Sequence, residues 1–79
     1  MREYEIKVNS NHVKEEQDRF IKDVLNKHNL TIDQVKISKH EHNNKVDVHY
    51  NGDIIGLWFT ELSFKAIDEK IIITCHEWI

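Results

Sequence analysis

The chain has 79 residues, of which 39% are hydrophobic, and its 11 basic and 14 acidic side chains give a net charge of −3. This length predicts one small domain over residues 1–79, which excludes a deep cleft accompanied by a separate regulatory domain. The single cysteine excludes an intramolecular disulfide framework and favours the reducing cytoplasm, while the lack of a long apolar run excludes a signal peptide and a membrane span.

The charged residues are unevenly distributed along the chain. Residues 1–45 contain nine basic and eight acidic side chains, whereas residues 46–79 contain two and six. The sequence shows no basic stripe, so nucleic acid is not an expected partner, while the acidic second half favours a basic protein surface. Frequent Ile, Lys and Asn without any Pro indicate an AT-rich genome, such as that of a low-GC bacterium or its phages.

A strand followed by a helix is predicted for the first part of the chain. Tyr4, Ile6 and Val8 alternate with charged residues, which is the period of a half-buried strand. The polar segment 9–11 ends this alternation and supplies helix-capping side chains. A helix is expected over residues 13–27, with Asn29 as its left-handed cap. Its apolar stripe consists of Val13, Phe20, Ile21, Val24 and Leu25.

Two hairpin turns are predicted next, at Asn43-Asn44 and Asn51-Gly52, because Asn and Gly tolerate positive φ. Two-residue loops at these positions determine which residues of the three connected strands face one another. The resulting cross-strand pairs are Ile37–Tyr50, Lys39–Val48, Glu41–Val46, Val48–Ile55 and Val46–Leu57.

With this register, one face of the sheet collects the apolar residues of the three strands. The residues expected to face the helix are Val35, Ile37, Val46, Val48, Tyr50, Ile55, Leu57 and Phe59. Strand alternation then places Trp58 and Ile54 on the opposite, outer face, where exposed apolar side chains often mark interaction sites. The expected partner-binding residues are Trp58, Ile54, Ile67, Ile72 and Trp78. Two alternatives are that Trp78 folds over this cluster or that sheet curvature makes it a second small core.

The end of the chain is predicted to add two more strands. Residues 62–67 alternate in hydrophobicity, although segment 60–69 also fits a short helix and Thr60-Glu61 is a poor turn. The last strand, residues 70–76, is rich in β-branched residues and directs Cys75 into the core. The expected fold is α+β, a single helix packed on one face of an antiparallel sheet in the order β-α-β-β-β-β-β.

This element order resembles the general arrangement of cystatin-like and hotdog-like folds. The resemblance covers the element order only, because the Gln-x-Val-x-Gly loop by which cystatins inhibit proteases is missing. No function is therefore carried over from either fold.

The histidines provide the main candidates for chemistry. His40, His42 and His49 share the outer face with Asp47, which is a weak alternative metal site or a polar cross-strand cluster. Cys75 precedes His76 in a strand, and adjacent strand residues point to opposite faces, so the two cannot form a nucleophile–base pair. Only two glycines are present and no phosphate-binding loop, so we expect neither an enzyme nor a cofactor.

The expected function is a non-enzymatic protein-binding module that engages a protein partner, forms a homodimer, or does both. A narrower form is a small inhibitor or modulator of a host protein, encoded by a phage or another mobile element. The alternative is a small metal- or pH-responsive protein that uses the His/Asp cluster. Neither nucleic acid nor a membrane is an expected partner.

Overall fold

The computed structural model describes residues 3–40, 44–67 and 70–78, with side chains described for 6–9, 11–40, 44–60 and 74–78. The chain forms the predicted α+β fold, with one helix packed on an antiparallel five-stranded sheet of order β1-β5-β4-β3-β2. Its elements are β1 (Glu3–Asn9), α1 (Val13–His28), β2 (Lys36–His40), β3 (Lys45–Tyr50), β4 (Asp53–Ile67) and β5 (Lys70–Trp78), with 3₁₀ turns at Ser10–His12 and Ile32–Gln34.

The helix agrees closely with its prediction. Asn9 Oδ1 accepts a hydrogen bond of 3.0 Å from the Asn11 amide and caps the 3₁₀ turn that leads into α1. Asn29 ends α1 with φ 55°, and the Leu30 amide donates to the Leu25 carbonyl at 2.9 Å. The predicted cap at Asn29 is therefore confirmed, whereas the residue that precedes α1 itself, His12, makes no side-chain capping hydrogen bond.

The two strands expected over 55–59 and 62–67 are one continuous strand. β4 has 15 residues, and no turn forms at Thr60-Glu61, so the sheet has one strand fewer than the predicted order. The helical alternative for segment 60–69 is wrong for residues 60–67, while residues 68 and 69 lie outside the described part of the chain. An irregularity between Glu61 and Lys65 interrupts the pairing of β4 with β5.

The β2–β3 pairing is offset by two residues from the predicted register. Ile37 pairs with Val48 instead of Tyr50. Because strand side chains alternate with a period of two, this offset preserves the predicted faces. Asn44 adopts φ 53°, but His40 pairs with Lys45, so residues 41–44 connect the two strands and the predicted two-residue loop at Asn43-Asn44 is wrong. Asn43 lies outside the described residues.

A bulge in the β3–β4 hairpin changes the faces of β4. Asn51 and Gly52 form the predicted turn with φ 54° and 83°, and His49 pairs with Ile54 as expected. The register then shifts by one residue, so Val48 pairs with Gly56. An odd shift exchanges the two faces of a strand beyond it.

This shift overturns the predicted orientation of three side chains. Trp58 pairs with Val46, faces the helix and is 0% exposed, so its predicted position on the outer face is wrong. Leu57 and Phe59, predicted to face the helix, lie on the opposite face and are half-buried. Trp58 is therefore a core residue.

The core lies between α1 and the sheet. A Cβ added at Gly56 would lie 2.7 Å from Val24 Cγ2 and 3.0 Å from Phe20 Cζ, so the helix approaches the sheet too closely there for a side chain. The fully or nearly buried apolar residues are Val8, Phe20, Ile21, Val24, Val46, Val48, Trp58 and Cys75. A membrane-crossing helix is not found in the described parts of the chain, since none is both long and apolar enough.

Candidate protein interaction surface

The helix covers only one face of the sheet, and the other is here called the open face. Its residues alternate with the buried ones along each strand. The described side chains on the open face are Lys7, Lys36, Ser38, His40, Lys45, Asp47, His49, Ile54, Leu57, Phe59, Thr74, His76 and Trp78. This surface combines an apolar centre with a polar rim.

The apolar centre lies where β4 and β5 pair. Trp78 pairs with Leu57 and is 36% exposed, and Ile54 is 54% exposed. Beside them, the rings of Phe59 and His76 stack with centroids 4.8 Å apart and an interplanar angle of 16°. A shallow cavity of about 110 Å³ lies against Ile54, Leu57 and Trp78. These side chains offer a preformed apolar contact surface.

The predicted partner-binding residues are only partly brought together. Ile54 and Trp78 lie together on the open face, whereas Trp58 is buried beneath the helix. The side chains of Ile67 and Ile72 lie outside the described part of the chain, so their predicted role stays a prediction.

Three residues of this surface were not predicted from the sequence. The part of the open face predicted to hold Trp58 is occupied by Leu57, Phe59 and His76, which lie near Trp78. The available signal was Gly56, because a glycine inside a strand often marks a bulge or a close approach of another element. A bulge before Gly56 exchanges the faces of the residues after it.

The predicted His/Asp cluster forms part of the polar rim. Asp47 is 7% exposed, and its Oδ2 lies 3.4 Å from His40 Nε2 and 3.9 Å from His49 Nε2. Its Oδ1 lies 3.7 Å from Lys45 Nζ. Asp47 therefore lies at the centre of a cluster formed by Lys45 and two imidazole rings, at distances longer than a hydrogen bond of normal length.

The metal alternative stays a prediction. Among the residues that the structure describes, no group of three or more His, Cys, Asp and Glu side chains is arranged to hold a metal ion. His42, the fourth member of the predicted set, lies outside those residues.

On the covered face, a buried carboxylate joins the helix to β5. Glu77 is 0% exposed, and its Oε1 accepts a hydrogen bond of 2.5 Å from Arg19 Nη2. Arg19 also binds Glu16 at 2.8 Å and Asp23 at 3.0 Å. Burial lowers the pKa of Arg19, but the surrounding carboxylates raise it more, so the pKa lies above its ordinary value. The guanidinium therefore stays charged and neutralises Glu77.

Cys75 occupies the buried position that the sequence predicted for it. Its side chain is 0% exposed on the covered face of β5. Burial, together with smaller contributions from the negative charges of Glu16 and Glu77, raises the pKa of the thiol from 9.0 to about 12. A thiol nucleophile requires the opposite shift, because the thiolate is the reactive form.

We expect the stability of the protein to fall at high pH through Cys75. The unfolded thiol loses its proton near pH 9, whereas the folded thiol keeps it until about pH 12. The unfolded state therefore binds fewer protons in this window, and the free energy of unfolding decreases as the pH rises. Urea unfolding of the wild type and of Cys75→Ala at several pH values checks this.

The difference in free energy of unfolding between the wild type and Cys75→Ala should change by no more than about 1.4 kcal/mol per pH unit between pH 9 and 12.

Burial of the Cys75 side chain should also make thiol labelling of the native protein much slower than labelling in denaturant. Equal labelling rates in the two conditions would contradict it.

Comparison of the chain with protein-family models, with curated proteins and with solved structures finds no match, so its function is inferred from its own geometry.

Proposed function

We propose that this chain is a non-enzymatic protein-binding module whose open face docks a protein partner. The observation that carries the proposal is the exposure of Ile54 and Trp78, side by side, on a sheet face that the helix leaves uncovered. Large apolar side chains kept in water forfeit about 1.5–3 kcal/mol of burial each. Tryptophan is also strongly enriched among binding hot spots.

The charges of the open face favour an acidic partner. Among its described side chains, Lys7, Lys36 and Lys45 are basic. The one described acid, Asp47, is almost buried and already contacts Lys45 and His40. Acidic residues around an apolar centre would complement these described charges. We therefore propose an acidic protein as the occupant, with a second copy of the chain as the alternative.

A narrower version of the proposal places this partner in the cytoplasm of a bacterial host. The chain would then be a small inhibitor or modulator encoded by a phage or other mobile element. The AT-rich composition and small size support this version.

The proposal is tested by a matched pair of surface variants. Trp78→Ala removes the aromatic centre of the open face, at a residue 36% exposed, and Tyr50→Ser removes a comparably exposed aromatic side chain, 37% exposed, away from that face. Quantitative mass spectrometry of proteins retained by each variant identifies a partner, and the purified partner is then titrated against all three proteins. We expect Trp78→Ala to weaken binding about 30-fold or more, equivalent to about 2 kcal/mol, and Tyr50→Ser to leave it unchanged.

Thermal unfolding monitored by circular dichroism checks that both variants remain folded. A retained partner that binds wild type and Trp78→Ala equally would contradict the proposal. A wild-type dimer that Trp78→Ala converts to monomer, measured by sedimentation, would show that a second copy occupies the face and would overturn the acidic partner.

A further inference from the structure

A second surface lies at the edge of the sheet, on the covered side. β2 pairs with β3 and with no other described strand, so the outer row of its backbone groups faces away from the sheet. An edge strand of this kind is a template for pairing with another extended segment. Strand addition of this type supplies main-chain hydrogen bonds, while neighbouring pockets select the side chains.

An apolar groove accompanies this edge. It runs between α1 and β2, has a volume of about 790 Å³, and falls within the range of ligand-binding clefts. Ile32 is 54% exposed at its rim, and Leu25 and Ile37 are half-buried along it. The residues that line the groove are Asp18, Ile21, Lys22, Leu25, Ile32, Ile37 and Lys39. A strand laid beside β2 would direct every second side chain toward α1 and into this groove.

The charge of the edge determines what kind of segment fits. β2 has the sequence Lys-Ile-Ser-Lys-His, which contains three basic residues and no acidic one. The groove adds Lys22, and its one acid, Asp18, lies 3.9 Å from Lys39 Nζ. Antiparallel pairing of β2 with a second copy, centred on Ser38, would set Lys36 against His40 and Lys39 against Ile37 of the other copy, so it would gain no pair of opposite charges. The edge therefore disfavours self-association and favours an acidic segment.

We propose that the β2 edge and its groove bind an extended acidic segment of a partner protein by strand addition, with apolar residues at every second position. β2 has five residues, so the contact spans roughly 17 Å at about 3.3 Å per residue. This site is distinct from the open face, because its apolar residues lie on the helix side of the sheet. The β2 edge and its groove would thus form a second contact with the partner, through the backbone of the bound segment and its pattern of charges.

The test uses a blocked synthetic heptapeptide, Glu-Val-Glu-Leu-Glu-Val-Glu, titrated into the isotope-labelled full chain. We expect saturable shifts of backbone amide signals in residues 36–40 and of side-chain signals of Ile32 and Leu25. Ile32→Asp places a negative charge at the exposed rim of the groove and should weaken binding at least about tenfold. Lys36→Glu, on the side of β2 that the glutamates of the peptide would face, should do the same, while Trp78→Ala, at the apolar centre of the open face, should leave peptide binding unchanged.

A matched peptide with Lys in place of each Glu should not bind. Lysines on an edge strand also protect against unwanted pairing. If preventing such pairing is the only role of these lysines, the acidic peptide will give no saturable signal shifts, or the shifts will fall outside residues 36–40. Either result overturns the proposal. Equal binding by Ile32→Asp also overturns it. Loss of partner binding in Trp78→Ala, with peptide binding retained, separates this site from the open face.

Discussion

Replacement of Trp58 by alanine is expected to remove a large part of the free energy of unfolding of the protein. The side chain is 0% exposed in the layer between α1 and the sheet, opposite Val46. Truncating a buried aromatic residue costs about 3–5 kcal/mol, through lost burial and the cavity that remains. A domain of 79 residues has about 4–12 kcal/mol of total stability. Urea unfolding followed by far-ultraviolet circular dichroism measures the loss.

Two further variants make this prediction specific to the bulge. Leu57→Ala truncates the half-buried neighbour on the open face and should cost clearly less than Trp58→Ala. Trp58→Phe keeps an aromatic ring and removes the indole N–H, which has no hydrogen-bond partner among the described atoms. Its cost should therefore reflect lost volume alone. If Trp58→Ala proved stable and Leu57→Ala unfolded, this would contradict the prediction and indicate that the hairpin keeps its regular register without the bulge.

Removal of Arg19 is expected to produce the second large loss of stability. Arg19→Met leaves the fully buried Glu77 without the guanidinium that contacts it at 2.5 Å. Breaking a buried ion pair from one side costs about 3–5 kcal/mol, and we expect the lower end because the Arg19 side chain is 45% exposed. Equilibrium unfolding in urea at pH 7 measures the change.

A double-mutant cycle separates the pair from its surroundings. Glu77→Gln removes the buried charge, so Arg19→Met should cost much less in that background than in the wild type. Asp23→Ala is the matched control, since it removes only the exposed partner of Arg19 and should cost about 0.3–0.5 kcal/mol. Additive effects of Arg19→Met and Glu77→Gln would show that the two side chains do not stabilise each other.

Local sequence patterns determined much of the fold. The apolar stripe on residues 13–27 and the cap at Asn29 predicted α1 to within one residue of its end. The Asn51-Gly52 turn and the burial of Cys75 were also correct. Each of these features depends on side chains within a few residues of one another, through helix periodicity, positive φ or strand alternation.

Part of the candidate surface was predictable for the same reason. Ile54 lies before the bulge, next to the turn, so its exposed position followed from the hairpin register. Trp58 lies beyond the bulge, and its predicted role was therefore assigned to the wrong face. Leu57 and Phe59 were misplaced by the same single-residue shift.

Only the tertiary structure decided that shift. The bulge brings Gly56 under α1, where Val24 and Phe20 leave no space for a Cβ. It also turns Trp58 into the core opposite Val46. These contacts join residues that lie more than ten positions apart in the chain, and alternation along one strand carries no information about them. By itself, the sequence determined where the helix and the Asn51-Gly52 turn form, and packing between helix and sheet decided which face of β4 is buried.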